Sequence, residues 1–242
     1  MNSAQWKSDF MQVYVIRHGL SQANADGVIQ GFADSPLAVA GKEQAGLLGR
    51  YLKRENVVPE IIYCSPLLRA FETAGQIAGA YDPSPPIHKV DGLKEIDVGK
   101  LSGMSLEDAY RSNPTGWTPD VNKWLDFSAF GGESCDDFFE RVGGAVREIV
   151  SGWDDLLADR TIFFVAHAGS MRPLLKYLLD ADGDFMFFTF GNCCHVRVEY
   201  REVRGSVRRA LSDLVRIEKV AQIMGLENPC ADTEDTVGSK IG

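Results

Sequence analysis

Residues 13–20 read VYVIRHGL, and this stretch decides the predicted fold. Its first four residues are all apolar, three of them β-branched and one aromatic, which is typical of a strand buried on both faces. The run ends at Arg17, and His18 and Gly19 follow. A buried strand is therefore expected to deliver a cation and an imidazole to its carboxyl end.

Two further apolar runs end in the same way. Residues 60–64 (EIIYC) are followed by a turn and by Arg69, and residues 161–166 (TIFFVA) are followed directly by His167. In an open α/β sheet, ligands bind in the crevice outside the carboxyl ends of the strands. The polar side chains after the three strands are therefore expected to converge there, although they are far apart in the chain.

Helical periodicity fills the segments between these strands. The predicted helices span residues 40–54, 67–79, 134–157 and 170–179, and further short strands are predicted at 87–90 and 196–203. Ser134 is the expected N-cap of the third helix, and Pro173 must lie in the first turn of the fourth. The alternation predicts an α/β three-layer sandwich, a mostly parallel sheet with helices on both faces.

Three segments are less regular. Residues 92–131 predict a loop-rich insertion over the active end of the sheet, whose aromatic residues either line a pocket for an apolar group or close onto the sheet: Trp117, Trp124, Phe127 and Phe130. Residues 207–224 fit either a helix or a returning strand. A frayed tail is expected after Gly225, and residues 1–242 are interpreted as one domain.

Composition limits the classes of function. The net charge of −9 argues against general binding to nucleic acids or anionic membranes, although arginines in a cleft can still make a local anion site. The five cysteines lack metal-ligand spacing and predict reduced thiols in the cytoplasm. The N-terminus has no signal-peptide pattern, and no apolar run approaches bilayer length. A homodimer is one possible oligomeric state, and no metal or cofactor is expected.

At this point a family resemblance becomes clear. The stretch VYVIRHGLSQAN, residues 13–24, resembles the signature of the histidine phosphatase superfamily, which includes phosphoglycerate mutases and many small phosphatases. The similarity continues through DSPLAVAGKEQA, YCSPLLRAFETA, LKEIDVGKLSG, FGGES and VAHAGSMRPLL, in the family's order, over about residues 11–200. Leu20 departs from the family, which usually has Glu or another polar residue there, so the anchoring of this loop is expected to differ.

The resemblance implies a role for each matched residue. His18 corresponds to the nucleophile, Glu95 to the general acid, and the phosphate-holding residues are Arg17, Arg69 and His167. The residues expected to line the phosphate site are Ser21, Asn24, Gln30, Gly31 and Ala168. Asp97, close to Glu95, is an alternative acid.

Elementary chemistry is consistent with these roles. A neutral imidazole can attack phosphorus and form a phosphohistidine, so one hard step becomes two easier ones. Guanidinium groups neutralise the charge on the phosphoryl oxygens, and His167, if protonated in the resting site, adds a donor. A carboxylic acid at Glu95 can protonate the leaving alkoxide and then, as a carboxylate, activate water. No metal ion is required by this scheme.

The resemblance implies a phosphorylated small molecule as the substrate, and more than one reaction on it is possible. A phosphoglycerate mutase of this family grips its substrate carboxylate with basic residues in the insertion, but between Lys100 and Arg141 only Arg111 and Lys123 are basic. Ile96 follows Glu95 where mutases have arginine, so hydrolysis is favoured over mutase activity. A non-catalytic module that binds phosphorylated ligands or a protein is the alternative from another class.

Overall fold

The computed structural model describes residues 10–112, 126–153, 159–181, 190–203 and 206–226. The strands are β1 (Phe10–Arg17), β2 (Ile61–Cys64), β3 (Ile87–Lys89), β4 (Thr161–Ala166), β5 (His195–Val203) and β6 (Ser206–Val215). The helices are α1 (Gln22–Ala25), α2 (Val39–Arg54), α3 (Leu68–Ala78), α4 (Leu106–Ser112), α5 (Cys135–Ser151), α6 (Met171–Leu179) and α7 (Ile217–Met224). No helix in these ranges is long and apolar enough to cross a bilayer.

The strands form one sheet in the order β3-β2-β4-β1-β5-β6. The first four strands of this order are parallel, and β5 and β6 are antiparallel to their neighbours. The three apolar strands of the sequence are therefore adjacent, as β2, β4 and β1. Their register pairs Arg17 with Ala166 and Cys64 with Val165, so the three strands end at the same level.

Alternate residues of the central strands support two separate cores. Tyr14, Ile16 and Phe163 pack with apolar residues of α2, α3 and α7. Val15 and Phe164 pack on the opposite face with residues of α5, α6 and the segment around residues 93–101. Because adjacent strand residues point to opposite faces, the apolar side chains of these strands enter one core or the other. This arrangement confirms the mostly parallel sheet with helices on both faces.

Two elements differ from their predicted extent. Helix α5 begins after Ser134, whose hydroxyl accepts a hydrogen bond from the Asp137 amide at 3.1 Å, as expected of an N-cap. It ends at Ser151, not at residue 157, and the buried Trp153 lies beyond the helix. The segment from residue 207 to 224 contains both of its alternatives, because β6 occupies its first half and α7 its second.

The insertion is described only in part. Short 3-10 turns at Asp91–Leu93, Gly99–Leu101 and Ser128–Phe130 accompany α4, and Phe127 and Phe130 pack against the α5 and α6 side of the core. Trp117 and Trp124 fall in residues 113–125, outside the described ranges. The expected tail after Gly225 lies almost entirely outside them as well, so the single domain, the insertion over the site and the tail stay predictions.

Two adjacent glycines of α5 offer a test of how closely α5 packs on α6. A Cβ at Gly143 would lie 2.1 Å from the Tyr177 ring of α6, whereas a Cβ at Gly144 would meet nothing nearer than 3.9 Å. We expect Gly143→Ala to lower the free energy of unfolding by about 1–3 kcal/mol, because the two helices must separate. Gly144→Ala should leave it unchanged or raise it by up to about 1 kcal/mol, because alanine favours the helix. Urea unfolding of both variants checks this, and equal shifts would be inconsistent with the close packing.

Candidate active site

The ends of β1, β4 and β2 bring the predicted polar residues together. The His18 amide donates to the Ala166 carbonyl at 3.0 Å, so the chain leaving β1 stays beside the end of β4. The rings of His18 and His167 lie 5.1 Å apart between centroids. The Arg69 side chain reaches His167 from α3. The convergence expected of His18, His167 and Arg69 is therefore observed.

His18 is held in a form that suits a nucleophile. Its ring Nδ1 lies 2.7 Å from the Gly19 carbonyl oxygen, which can only accept, so Nδ1 carries the proton. Burial lowers the pKa of His18 well below its ordinary value, and the charges of Arg69 and Arg17 lower it further. The ring is therefore neutral, and its Nε2 keeps a free lone pair.

His167 is neutral as well, and the opposite tautomer is present. The Nε of Arg69 donates to its Nδ1 at 3.2 Å, so Nδ1 is unprotonated and Nε2 donates to the Ser65 hydroxyl at 2.8 Å. Burial is the main cause that lowers the pKa of His167 far below its usual range, and Arg69 and His18 add to it. The condition under which His167 would add a donor, a protonated ring in the resting site, is therefore not met. The N–H of Arg69 points at Nδ1 of His167, so no proton can be added to this nitrogen without losing the hydrogen bond.

Arg69 is a buried cation, and each of its three guanidinium nitrogens donates a hydrogen bond to the protein. Its side chain is 1% exposed, and besides His167 it donates from Nη1 to the Ala33 carbonyl at 3.0 Å and from Nη2 to the Gly31 carbonyl at 2.9 Å. Burial lowers the pKa of Arg69 to about 10, so it stays charged at neutral pH. Gly31 therefore contributes through its backbone oxygen.

Arg17 approaches from the other side of the site. It is the last residue of β1 and is half-buried, and its Nη1 donates to the Phe190 carbonyl. Its charge acts on the pKa values of both His18 and His167, which places it in the same charged cluster. Two arginines thus surround the two neutral imidazoles.

The loop after His18 holds its polar residues in a linked set. The Ser21 hydroxyl caps α1 by accepting from the Asn24 amide at 3.1 Å, and it also lies 3.1 Å from the Gln30 side-chain oxygen. Leu20 is anchored through its backbone alone, because its amide donates to the Gln44 side chain at 3.0 Å and its carbonyl accepts from the Ala38 amide.

Glu95 reaches the site from the segment after β3. Its carboxylate accepts from the amides of Gly169 and Ser170, each at 3.1 Å, and from its neighbour Ile96. Gly169 and Ser170 lie at the start of α6, where backbone amides and the helix dipole favour an anion. A Cβ at Gly169 would lie 2.2 Å from the Glu95 carboxylate, so glycine is required for this approach. The start of α6 therefore holds the Glu95 carboxyl group in place.

Asp97 has a different environment. Its side chain accepts from the Gly99 amide at 2.9 Å, within its own turn. The Glu95 side chain instead reaches the amides that follow His167, so the structure favours Glu95 over Asp97 as the proton-transferring group. Ala168 also takes part through its backbone only, because its carbonyl accepts from Arg172 at 2.7 Å.

Sequence reasoning missed several polar residues here. Arg172 lies in the first turn of α6, and its pKa is lowered by burial and is affected by the charges of both Glu95 and Arg17. It lies five residues after His167, much as Arg69 lies four residues after Ser65. This similar spacing from a strand end could have identified Arg172 as a site residue from the sequence. Thr73 accepts from the Gly19 amide at 3.0 Å, a tertiary contact that no local pattern reveals.

The two tautomers can be tested directly. At about pH 6, below the usual histidine pKa of about 6.5, both rings should still be neutral, since burial and arginines lower both pKa values. Long-range ¹H–¹⁵N spectra should show a proton on Nδ1 of His18 and on Nε2 of His167. His18→Asn and His167→Asn assign the signals. An imidazolium spectrum for either ring at this pH would contradict the geometry.

Comparison with known proteins identifies the family of this chain. The family model described as histidine phosphatase superfamily (branch 1) matches residues 13–213. Phosphoserine phosphatase 1 of Hydrogenobacter thermophilus is 34% identical over 186 residues, which cover 75% of this chain and 82% of that protein. A 2,3-bisphosphoglycerate-dependent phosphoglycerate mutase of Afipia carboxidovorans is 32% identical over 170 residues, covering 68% of this chain and 79% of that one.

A solved structure agrees at the level of the fold. Bacillus stearothermophilus YhfR superposes with a TM-score of 0.70 at 25% identity, over 86% of this chain and 98% of that one. The match to the family model includes all three strand ends and the residues gathered there. The chain therefore belongs to branch 1 of the histidine phosphatase superfamily.

Proposed function

We propose that this protein is a phosphomonoester hydrolase that works through a phosphohistidine on His18. The observation that carries the proposal is the state of His18: a buried neutral ring with its proton on Nδ1, next to two guanidinium groups. Family membership and relatives named as phosphatases support hydrolysis as the reaction class.

The first step is transfer of the phosphoryl group to the protein. The lone pair on Nε2 of His18 forms the N–P bond while the bond from phosphorus to the ester oxygen breaks. Arg17 and Arg69 neutralise the charge on the phosphoryl oxygens. Three of the five N–H bonds of Arg69 are engaged in the free site, which leaves two for these oxygens.

Glu95 supplies the proton that the leaving oxygen needs. In the free site its carboxyl group accepts three amide hydrogen bonds, which hold it in place. It acts as the general acid in its protonated form. Glu95 then protonates the ester oxygen, and as a carboxylate it takes a proton from the water that attacks the phosphohistidine. Phosphate leaves and Nε2 regains its lone pair.

Mutase activity is the second candidate, because several relatives carry that name. It needs free basic groups for a second anionic substituent. Arg141 is bound to Glu133 and to three carbonyls, and Arg111 pairs with Glu107 and Asp108 on the surface of α4. Among the described residues of the insertion and its edge, the arginines are therefore engaged by the protein itself, which favours transfer to water.

The remaining expectations belong to the same proposal. We infer a phosphorylated small molecule as substrate, no nucleic-acid or membrane partner, and a reaction that uses no metal ion or cofactor. The buried thiols of Cys64 and Cys194 suit the reducing cytoplasm, which we propose as the location. The homodimer is an independent proposal that light scattering can test.

Hydrolysis can be tested with para-nitrophenyl phosphate in the presence of a metal chelator. We expect turnover by the native protein and turnover at background level by His18→Ala, because the nucleophile is lost. His88→Ala is the matched control, since this histidine is exposed on β3, and it should retain full activity. A screen of phosphorylated metabolites with the same variants then identifies the substrate. Activity that persists in His18→Ala, or that the chelator abolishes, would exclude the proposed reaction. Interconversion of 2- and 3-phosphoglycerate as the dominant activity would instead identify a mutase.

A further inference from the structure

The segment FGGES, residues 130–134, is a matched motif to which the reaction assigns no role. In the structure it lies against the chain that follows Glu95. The Glu133 amide donates to the Asp97 carbonyl at 2.9 Å, and the Asp97 amide donates back to the Glu133 carboxylate at 2.8 Å. Ser134 caps α5, so the motif joins this helix to the Glu95 segment.

Arg141 completes the connection from the second turn of α5. Its Nε and Nη2 donate to the two carboxylate oxygens of Glu133, at 2.6 and 2.8 Å, which is the bidentate geometry of a strong ion pair. The pair is largely covered, with 24% of the arginine side chain and 18% of the glutamate side chain exposed. Screening by water is therefore limited.

The same guanidinium also holds the backbone around Glu95. Nη1 donates to the carbonyls of Gly92 and Lys94, at 2.9 and 3.2 Å, and Nη2 donates to the Glu95 carbonyl at 3.0 Å. Five hydrogen bonds in one plane require the fork of an arginine, because the three donors of a lysine ammonium cannot reproduce them. Glu133 fixes the plane of the guanidinium, so neither residue can act without the other.

Glu95 is thus fixed at two points. The start of α6 binds its carboxylate, and Arg141 binds its backbone carbonyl. Proton transfer requires the acid to lie within hydrogen-bond reach of the leaving oxygen, and a displacement of about 1 Å can reduce a rate a hundredfold.

We propose that Glu133 and Arg141 form a positioning pair that holds Glu95 at the distance from which it protonates the leaving group. The inference rests on the proposed function, because it assigns the pair a purpose only if Glu95 is the acid. A merely structural pair would stabilise the segment without any preference for one step of the reaction.

The leaving group of the substrate distinguishes these roles. Phenyl phosphate needs a proton on its departing oxygen, whereas 2,4-dinitrophenyl phosphate releases a stable anion and needs little help. The quantity kcat/KM reports only the steps up to release of the leaving group. We expect Glu133→Gln and Arg141→Lys to lower kcat/KM for phenyl phosphate by about 10- to 100-fold, and for the dinitrophenyl ester by less than about threefold.

A second ion pair on α5 provides the matched control. Glu140 and Arg147 also pair, but on the exposed face of the helix, with side-chain exposures of 70% and 50%. Glu140→Gln and Arg147→Lys should leave both kinetic constants unchanged. Thermal unfolding of all four variants separates misfolding from mispositioning, and the two changes in the buried pair are mild enough that at least one folded variant is expected.

Glu95→Gln serves as the reference. If this variant shows the selective loss and the Glu133 and Arg141 variants do not, the positioning role is wrong while the proposed function stands. Equal losses on both esters would also overturn the positioning role, since they indicate a structural pair. If Glu95→Gln itself shows no selective loss, the assignment of the acid fails first.

Discussion

The burial of Arg69 is the constraint on which the site depends. A guanidinium that is 1% exposed needs hydrogen-bond partners within the protein, because an unpaired buried charge costs several kcal/mol. Its partners are His167 and the carbonyls of Gly31 and Ala33, which belong to the end of β4 and to the loop after β1. One side chain from α3 therefore orders two segments that the sequence separates by more than a hundred residues, and it leaves a fixed positive charge where a phosphate would lie.

That charge also determines the protonation of its neighbours. A cation beside two buried imidazoles makes their protonated forms unfavourable, so both His18 and His167 are neutral and differ only in tautomer. The carboxyl group of the site belongs to Glu95, which is bound by the amides at the start of α6. The site thus consists of a neutral nucleophile, two arginines and a separate carboxyl group. A nucleophile must attack the phosphate ester, and an acid must protonate its leaving group. The site contains a group for each of these steps.

The sequence predicted the framework well because strand ends and helix periodicity are local signals. The runs before His18, Arg69 and His167 became neighbouring parallel strands, and the convergence of these residues followed from the topology alone. The tautomer of His167 could not be predicted, since it depends on the direction from which Arg69 arrives. The end of α5 at Ser151 was missed because Trp153 continues the apolar spacing beyond the helix. The contacts of Arg141 with the Glu95 segment are tertiary, and no spacing in the chain indicates them.

The central claim is a covalent phosphohistidine on His18, and rapid-quench trapping tests it most directly. The native protein is mixed with ³²P-labelled substrate and stopped in denaturant at high pH, where phosphohistidine survives. The account predicts label within the first turnover, its loss on brief treatment with acid, and its location on the peptide that contains His18. Acid-stable label, label on another residue, or turnover without any label on His18 would contradict it.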